Sequence, residues 1–134
     1  MIQKIMNLFR KNEEDNELRI ELPHNEDSKF LLIFNDIKVG HLYCEGGYWY
    51  FKYTEEFKEY SSDYNYIVGF PDLNKIYKSE TLWPFFQIRI PGLKQPSVLE
   101  ILKQENIDKT NEVALLRRFG KKTIANPYEL VPAL

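Results

Sequence analysis

The sequence predicts an α+β fold: an antiparallel β-meander with three to four short helices packed on one face. Two observations predict it. The first half carries β-rich runs separated by hairpin-turn residues, and the second half switches to apolar residues at helical spacing, bounded by cap and stop residues. A chain that runs from strands into helices segregates its helices to one face of an antiparallel sheet. At 134 residues and 43% hydrophobic, it is long enough for one core and too short for two ordinary domains.

Met1 to Arg10 suggest a short amphipathic helix with Ile2, Ile5, Met6 and Phe9 on one side, and Leu18 to Leu22 a short strand between polar loops. These form an N-terminal extension over residues 1–28, with the main domain at 29–134. The first ten residues lack the continuous apolar core and small-residue cleavage site of a secretory signal. No later segment approaches the roughly 18 to 20 apolar residues that cross a bilayer. The expected location is the cytoplasm. Only Lys4, Arg10 and Lys11 would attract the first helix to a membrane surface, and its face is short.

Phe30 to Phe34, Val39 to Cys44 and Tyr48 to Tyr53 read as strands, divided by Asn35-Asp36 and Glu45-Gly46-Gly47, both hairpin-turn compositions. In the third run Trp49, Phe51 and Tyr53 alternate with Tyr48, Tyr50 and Lys52, so one face is fully apolar-aromatic and faces the core. A stacking platform for bases or sugars is the sharper reading of these aromatics, but apart from Lys52 they lack the interleaved Arg and Lys that nucleic-acid contact needs. Glu55 to Tyr60 predicts one helical turn, Ser61-Ser62-Asp63 a loop, and Tyr66 to Phe70 a strand ended by Pro71.

Leu82 to Pro91 packs large apolar side chains into one helix of little more than two turns. Ser79 or Thr81 is its expected cap, Pro84 fits only in the opening turn, and Pro91-Gly92 ends it. At 100° per residue Leu82, Phe85, Phe86 and Ile90 share a stripe, and Trp83 lies at its flank beside Gln87. Trp83 is therefore the residue expected to be partly exposed, either closing the edge of the core or anchoring a partner, since Trp leads the residue types that anchor interfaces. A second helix follows a Ser97-x-x-Glu100 capping box, with Val98, Leu99, Ile101 and Leu102 as its buried face. A third has Val113, Leu116 and Phe119 inward, Thr110 as cap and Gly120 as stop. Ile124 and Tyr128 to Val131 return as a final short strand.

Charge and composition exclude several classes. A formal net charge of −2 and a pI near 5.7 give no global field that favours nucleic acid or an anionic membrane. Cys44, the only cysteine, has no internal disulfide partner and reads as a buried strand-end thiol. With only His24 and His41 beside it, a structural zinc site is not implied. No phosphate loop, nucleophile elbow or metal helix is present, and Asp63, Asp72, Glu80 and Asp108 read as solvated turn and cap residues rather than a catalytic pair. No cofactor is expected. The basic run Arg117, Arg118, Lys121 and Lys122 lies at a helix C-terminus, where the macrodipole stabilises cations. Its functional alternative is contact with an acidic partner or with DNA phosphates.

The order of signals from Ile37 to Leu130 resembles the N-terminal subdomain of HipA-type kinases, toxins of bacterial toxin–antitoxin systems. The matching elements are Val39-Gly40-His41-Leu42; Phe51-Lys52-Tyr53 with Glu55-Glu56; Val68-Gly69-Phe70-Pro71-Asp72-Leu73; Ser79 to Pro91 with its aromatic pair and Arg-Ile-Pro ending; and Leu115-Leu116 with Gly120 and Asn126-Pro127-Tyr128-Glu129-Leu130. The chain stops where such a kinase continues into its nucleotide-binding and catalytic regions, so the resemblance implies no inherited activity. It also has roughly 30 further N-terminal residues that the resemblance leaves unexplained. A free-standing copy of this subdomain is similar to HipS, the small component of split HipBST systems. That similarity implies a non-catalytic binding protein that restrains a HipT-like Ser/Thr kinase, with a HipB-like helix-turn-helix protein, and through it DNA, as a further partner. The expected contact surface is Ser79, Leu82, Trp83, Gln87 and Arg89, with Trp83 as anchor, and Arg117, Arg118, Lys121 and Lys122 as a secondary basic patch. The rival readings are a nucleic-acid accessory module built on that basic patch and an unrelated small α+β enzyme.

Overall fold

The computed structural model describes residues 26–60 and 66–133. Within them five strands form one antiparallel sheet, β1 (Ser28–Phe34), β2 (Ile37–Glu45), β3 (Tyr48–Tyr53), β4 (Tyr77–Ser79) and β5 (Glu129–Ala133), in the order β4-β3-β2-β1-β5. Four helices accompany it: α1 (Glu55–Glu59), α2 (Pro84–Gln87), α3 (Pro96–Glu105) and α4 (Glu112–Phe119). The α+β fold of the sequence reading is the fold found. The expected helix at Met1 to Arg10, the strand at Leu18 to Leu22 and the loop Ser61-Ser62-Asp63 lie outside the described residues.

The two hairpin turns follow from their residues. Asn35, Asp36, Gly46 and Gly47 all take positive φ, the conformation a two-residue turn needs to match the right-handed twist of its strands. Register then places Phe30, Leu42 and Phe51 side by side, and Cys44 beside Trp49, on one face of the sheet. That face, with Leu32, Tyr53 and Leu130, forms the core together with Phe57 of α1, Phe86 of α2, and Val113 and Leu116 of α4. Helix α3 stands one layer further out, its Val98 and Leu102 packed on Leu115 from the other side of α4. Gly40 is required here by close approach, because a Cβ at this position would lie 2.5 Å from the Phe51 ring. At the β5 edge, the Leu130 N–H points away from β1 and donates to the Lys121 carbonyl at 3.0 Å. Pro132, two residues on, points the same way, so its missing donor costs the ladder nothing.

Several elements differ from the sequence reading, each for a local reason. Tyr66 to Phe70 is not a strand: Gly69 turns the chain at a positive φ, and the buried Tyr53 hydroxyl pins the bend by donating to the Phe70 carbonyl (2.6 Å) and accepting from the Ile67 N–H (3.0 Å). The edge strand is instead β4, three residues long. Helix α2 is only Pro84–Gln87, because Pro84 opens it and leaves Trp83 as the capping residue. Ser79 and Thr81 are engaged with each other, the Thr81 N–H donating to Ser79 Oγ at 3.1 Å, and neither caps the helix. Helix α3 starts at Pro96 with Gln95 before it, so the capping box from Ser97 does not form, and Leu99 is exposed rather than buried. Asn111, not Thr110, caps α4 by accepting from the Ala114 N–H at 3.0 Å. Ile124 is fully exposed and belongs to no strand.

Candidate functional site

The segment from Ser79 to Arg89 crosses from the end of β4, through α2, to the base of α4. Its residues fall into two groups. Leu82 is 1% exposed and belongs to the core, and Arg89 is 3% exposed. Both were expected at a partner surface, and the structure corrects that: neither side chain is presented outward. Ser79 is half-buried opposite Trp49 in the β3–β4 register, whereas Trp83 is half-buried and Gln87 exposed.

Arg89 is held as an interior strut. Its Nη1 donates to the Gly120 and Lys121 carbonyls at 2.9 and 3.2 Å, and its Nη2 to Asn126 Oδ1 and the Tyr128 carbonyl at 3.1 and 2.8 Å. Gly120 caps the C-terminus of α4, so the cation meets the negative end of that helix dipole. Its acceptors are all neutral and Nε has no partner, and burial lowers the guanidinium pKa to about 10. One planar fork thus ties α2 to the end of α4 and to the entry of β5.

Trp83 is positioned from two sides. Its carbonyl accepts the first N–H groups of α2, from Phe86 and Gln87, both at 2.9 Å, which fixes its backbone. Its ring stands edge-on to Phe70, with centroids 5.2 Å apart and planes at 77°, and lies 6.5 Å from Phe86. Phe70 is in turn packed on Tyr77 at 4.9 Å and Phe51 at 4.6 Å. The indole is therefore backed by a rigid aromatic cluster while part of it reaches the surface. The other tryptophan, Trp49, is fully buried and donates its indole N–H to Glu112 Oε1 at 3.3 Å. Among the described residues the Trp83 indole N–H makes no such bond and is not sealed from solvent. The turn that leads into Phe70 exposes Tyr66 and Val68, at 55% and 86%. Gln87 borders a shallow hollow of about 420 Å³ with Ile90, Leu93 and Leu115.

The basic run is largely neutralised within the fold. Arg117 pairs with Glu26 at 3.0 Å and also bonds Ser28, Arg118 pairs with Glu105 at 2.7 Å, and Lys122 lies 3.7 Å from Glu129. Lys121 is exposed, and its carbonyl is the acceptor for both Arg89 and Leu130. The four side chains do share one end of α4, but they do not form an open cationic surface.

Sequence reasoning missed Phe70 as the ring that supports Trp83. Its signal was the Phe-Pro-Asp-Leu wording, which marks a chain reversal after a large aromatic. It also missed the structural use of Arg89, which no spacing rule reveals because its acceptors are backbone carbonyls.

Among the described residues no His/Cys/Asp/Glu cluster could hold a metal ion, and no helix is long and apolar enough to cross a membrane. No curated protein and no solved structure matches the chain. The family model of the HipA N-terminal domain matches residues 31–125, from β1 through α4 to the loop before β5. With more than half of its length matched, the chain belongs to the HipA N-terminal domain family.

Proposed function

We propose that this chain is a HipS-like regulatory component that docks on a HipT-like Ser/Thr kinase through Trp83 and restrains it, without catalysing a reaction itself. Membership of the HipA N-terminal domain family associates the chain with toxin–antitoxin modules. The observation that carries the finer reading is the state of Trp83, half-exposed with an uncommitted N–H yet braced by Phe70. A preorganised aromatic anchor loses little rotamer freedom on binding, which is the property of interface hot spots. Gln87, exposed one helical turn after Trp83, supplies part of a rim that excludes water. Leu82 and Arg89 act indirectly, by fixing the backbone on which Trp83 is mounted. Docking that fills the kinase cleft or holds its lobes apart stops phosphoryl transfer, because that chemistry depends on positioning.

The nucleic-acid alternative has less support, since three of the four basic-run side chains already face carboxylates. A phosphorylation assay with a HipT-like kinase tests the proposal. Stoichiometric addition of the chain suppresses phosphate incorporation. Undiminished incorporation at saturating chain would overturn it.

A further inference from the structure

The face of the sheet turned away from the helices carries several lysines that make no ion pair among the described residues, beside the carboxylates of Asp27 and Glu45. Register puts Lys29, Tyr43, Tyr50 and Lys78 in one row across β1 to β4, and Val131, Leu31, His41 and Lys52 in the next. Lys29, His41 and Lys52 line one shallow hollow of about 620 Å³; His41 and Lys52 line a second of about 330 Å³ that runs on to Lys75 and the exposed Ile76. The two hollows make a groove across the sheet. Among the described residues Lys29, Lys38 and Lys52 make no ion pair, in contrast to the basic run on α4. The positive field at this face is felt by His41, whose pKa is lowered by burial and by Lys52, Lys29 and Lys38 around it.

We infer that this outer face is a second docking surface, independent of Trp83, and that its occupant is an acidic polypeptide segment of a partner protein with apolar residues between its carboxylates. Charge complementarity gives the acidic character: an overall acidic chain collects four lysines, Lys29, Lys38, Lys52 and Lys78, on one sheet face. The aliphatic side chains of Leu31 and Val131 in the same row as Lys52 give the apolar requirement. Single-stranded nucleic acid fits less well. Tyr43 and Tyr50 spend a ring face on each other, stacked at 4.9 Å and 10°, and the Lys78 ammonium covers Tyr48 at 4.2 Å, so open faces for base stacking are few. Asp27 and Glu45 also border the groove and would repel a continuous phosphate backbone.

Fluorescence anisotropy with the full chain and a labelled peptide of alternating glutamate and leucine tests this. Saturable binding is expected, falling steeply as salt is raised. The Lys29→Glu/Lys52→Glu double variant should weaken it about tenfold, whereas the Lys121→Glu/Lys122→Glu double variant should leave it within about twofold. Circular dichroism melts establish that both variants fold, and the salt titration of the unmodified chain tests the charge dependence without any variant. Absence of saturable binding, insensitivity to salt, or equal loss in the two variants would overturn the proposal. So would tighter binding of a short oligothymidylate than of the peptide, which would assign the groove to single-stranded nucleic acid.

Discussion

Trp83 stands edge-on against Phe70, with ring centroids 5.2 Å apart, and this contact joins the most distinctive surface residue to the centre of the core. Phe70 also touches Phe51, Tyr77 and Phe86, so any force on the indole is carried into the sheet rather than absorbed by a loop. The tryptophan is both a partial core residue and a surface one.

Mutation separates those two roles. Trp83→Ala removes one aromatic edge contact and part of a half-buried surface, and should cost about 1 kcal/mol of folding stability. Phe86→Ala empties a site of zero exposure and should cost about 3 to 5 kcal/mol. Urea melts of the two variants measure the difference. Equal losses would mean that Trp83 is a core residue only.

Arg89 gives a second contrast. Arg89→Leu leaves the carbonyls of Gly120 and Tyr128 without their side-chain donor and takes one of two donors from that of Lys121, and should destabilise the fold by about 3 kcal/mol. Arg89→Lys keeps the charge but loses the planar fork, and should recover only part of that loss. Denaturant midpoints read both, and full recovery by lysine would show that charge at the end of α4 matters more than the fork.

Gly40→Ala tests the close approach of β2 to the Phe51 ring. With 2.5 Å available to the new Cβ, the ring must shift, and the cost should be about 1 to 3 kcal/mol despite the higher intrinsic strand propensity of alanine. A neutral or stabilising outcome in thermal melts would mean that the ring relocates freely.

His41 predicts a pH dependence with a defined sign. Its pKa in the folded state lies below the ordinary value of 6.5, because of burial and the lysines at 52, 29 and 38. The unfolded chain therefore takes up the proton first as pH falls. The contribution of this site to stability is complete above the unfolded value and is lost as pH drops through the folded one. Chemical denaturation between neutral pH and about pH 5 should show a decline that His41→Asn reduces; an unchanged slope in the variant would assign the decline to other groups.

Legibility in the sequence followed the range of the forces. The β1–β2–β3 meander was legible because its turns are local: Asn35-Asp36 and Gly46-Gly47 accept positive φ, and the alternation of Trp49, Phe51 and Tyr53 sets the buried face. Helix α4 and its stop at Gly120 were legible for the same reason. Tyr66 to Phe70 misled because its apolar residues suit a strand, whereas the hydroxyl of Tyr53 decides its course from a distant position. Strand β4 is too short to show a period. At the site, helical spacing correctly set Trp83 at the edge of the apolar cluster and Leu82 on its stripe, but the expected contact surface still included Leu82 and Arg89, and the burial of Arg89 depends on acceptors at the end of α4 and before β5 that lie far along the chain. The lysines of the outer sheet face were invisible as a group, since they converge only through strand register.

Docking through Trp83 is tested most directly by calorimetric titration of the HipT-like kinase with the unmodified chain and with Trp83→Ala, each scaled to its folded fraction. Loss of a braced, half-exposed tryptophan anchor should weaken binding by about 2 kcal/mol, roughly thirtyfold, while the variant remains folded. Equal affinity of the folded variant and the unmodified chain would contradict docking through this residue.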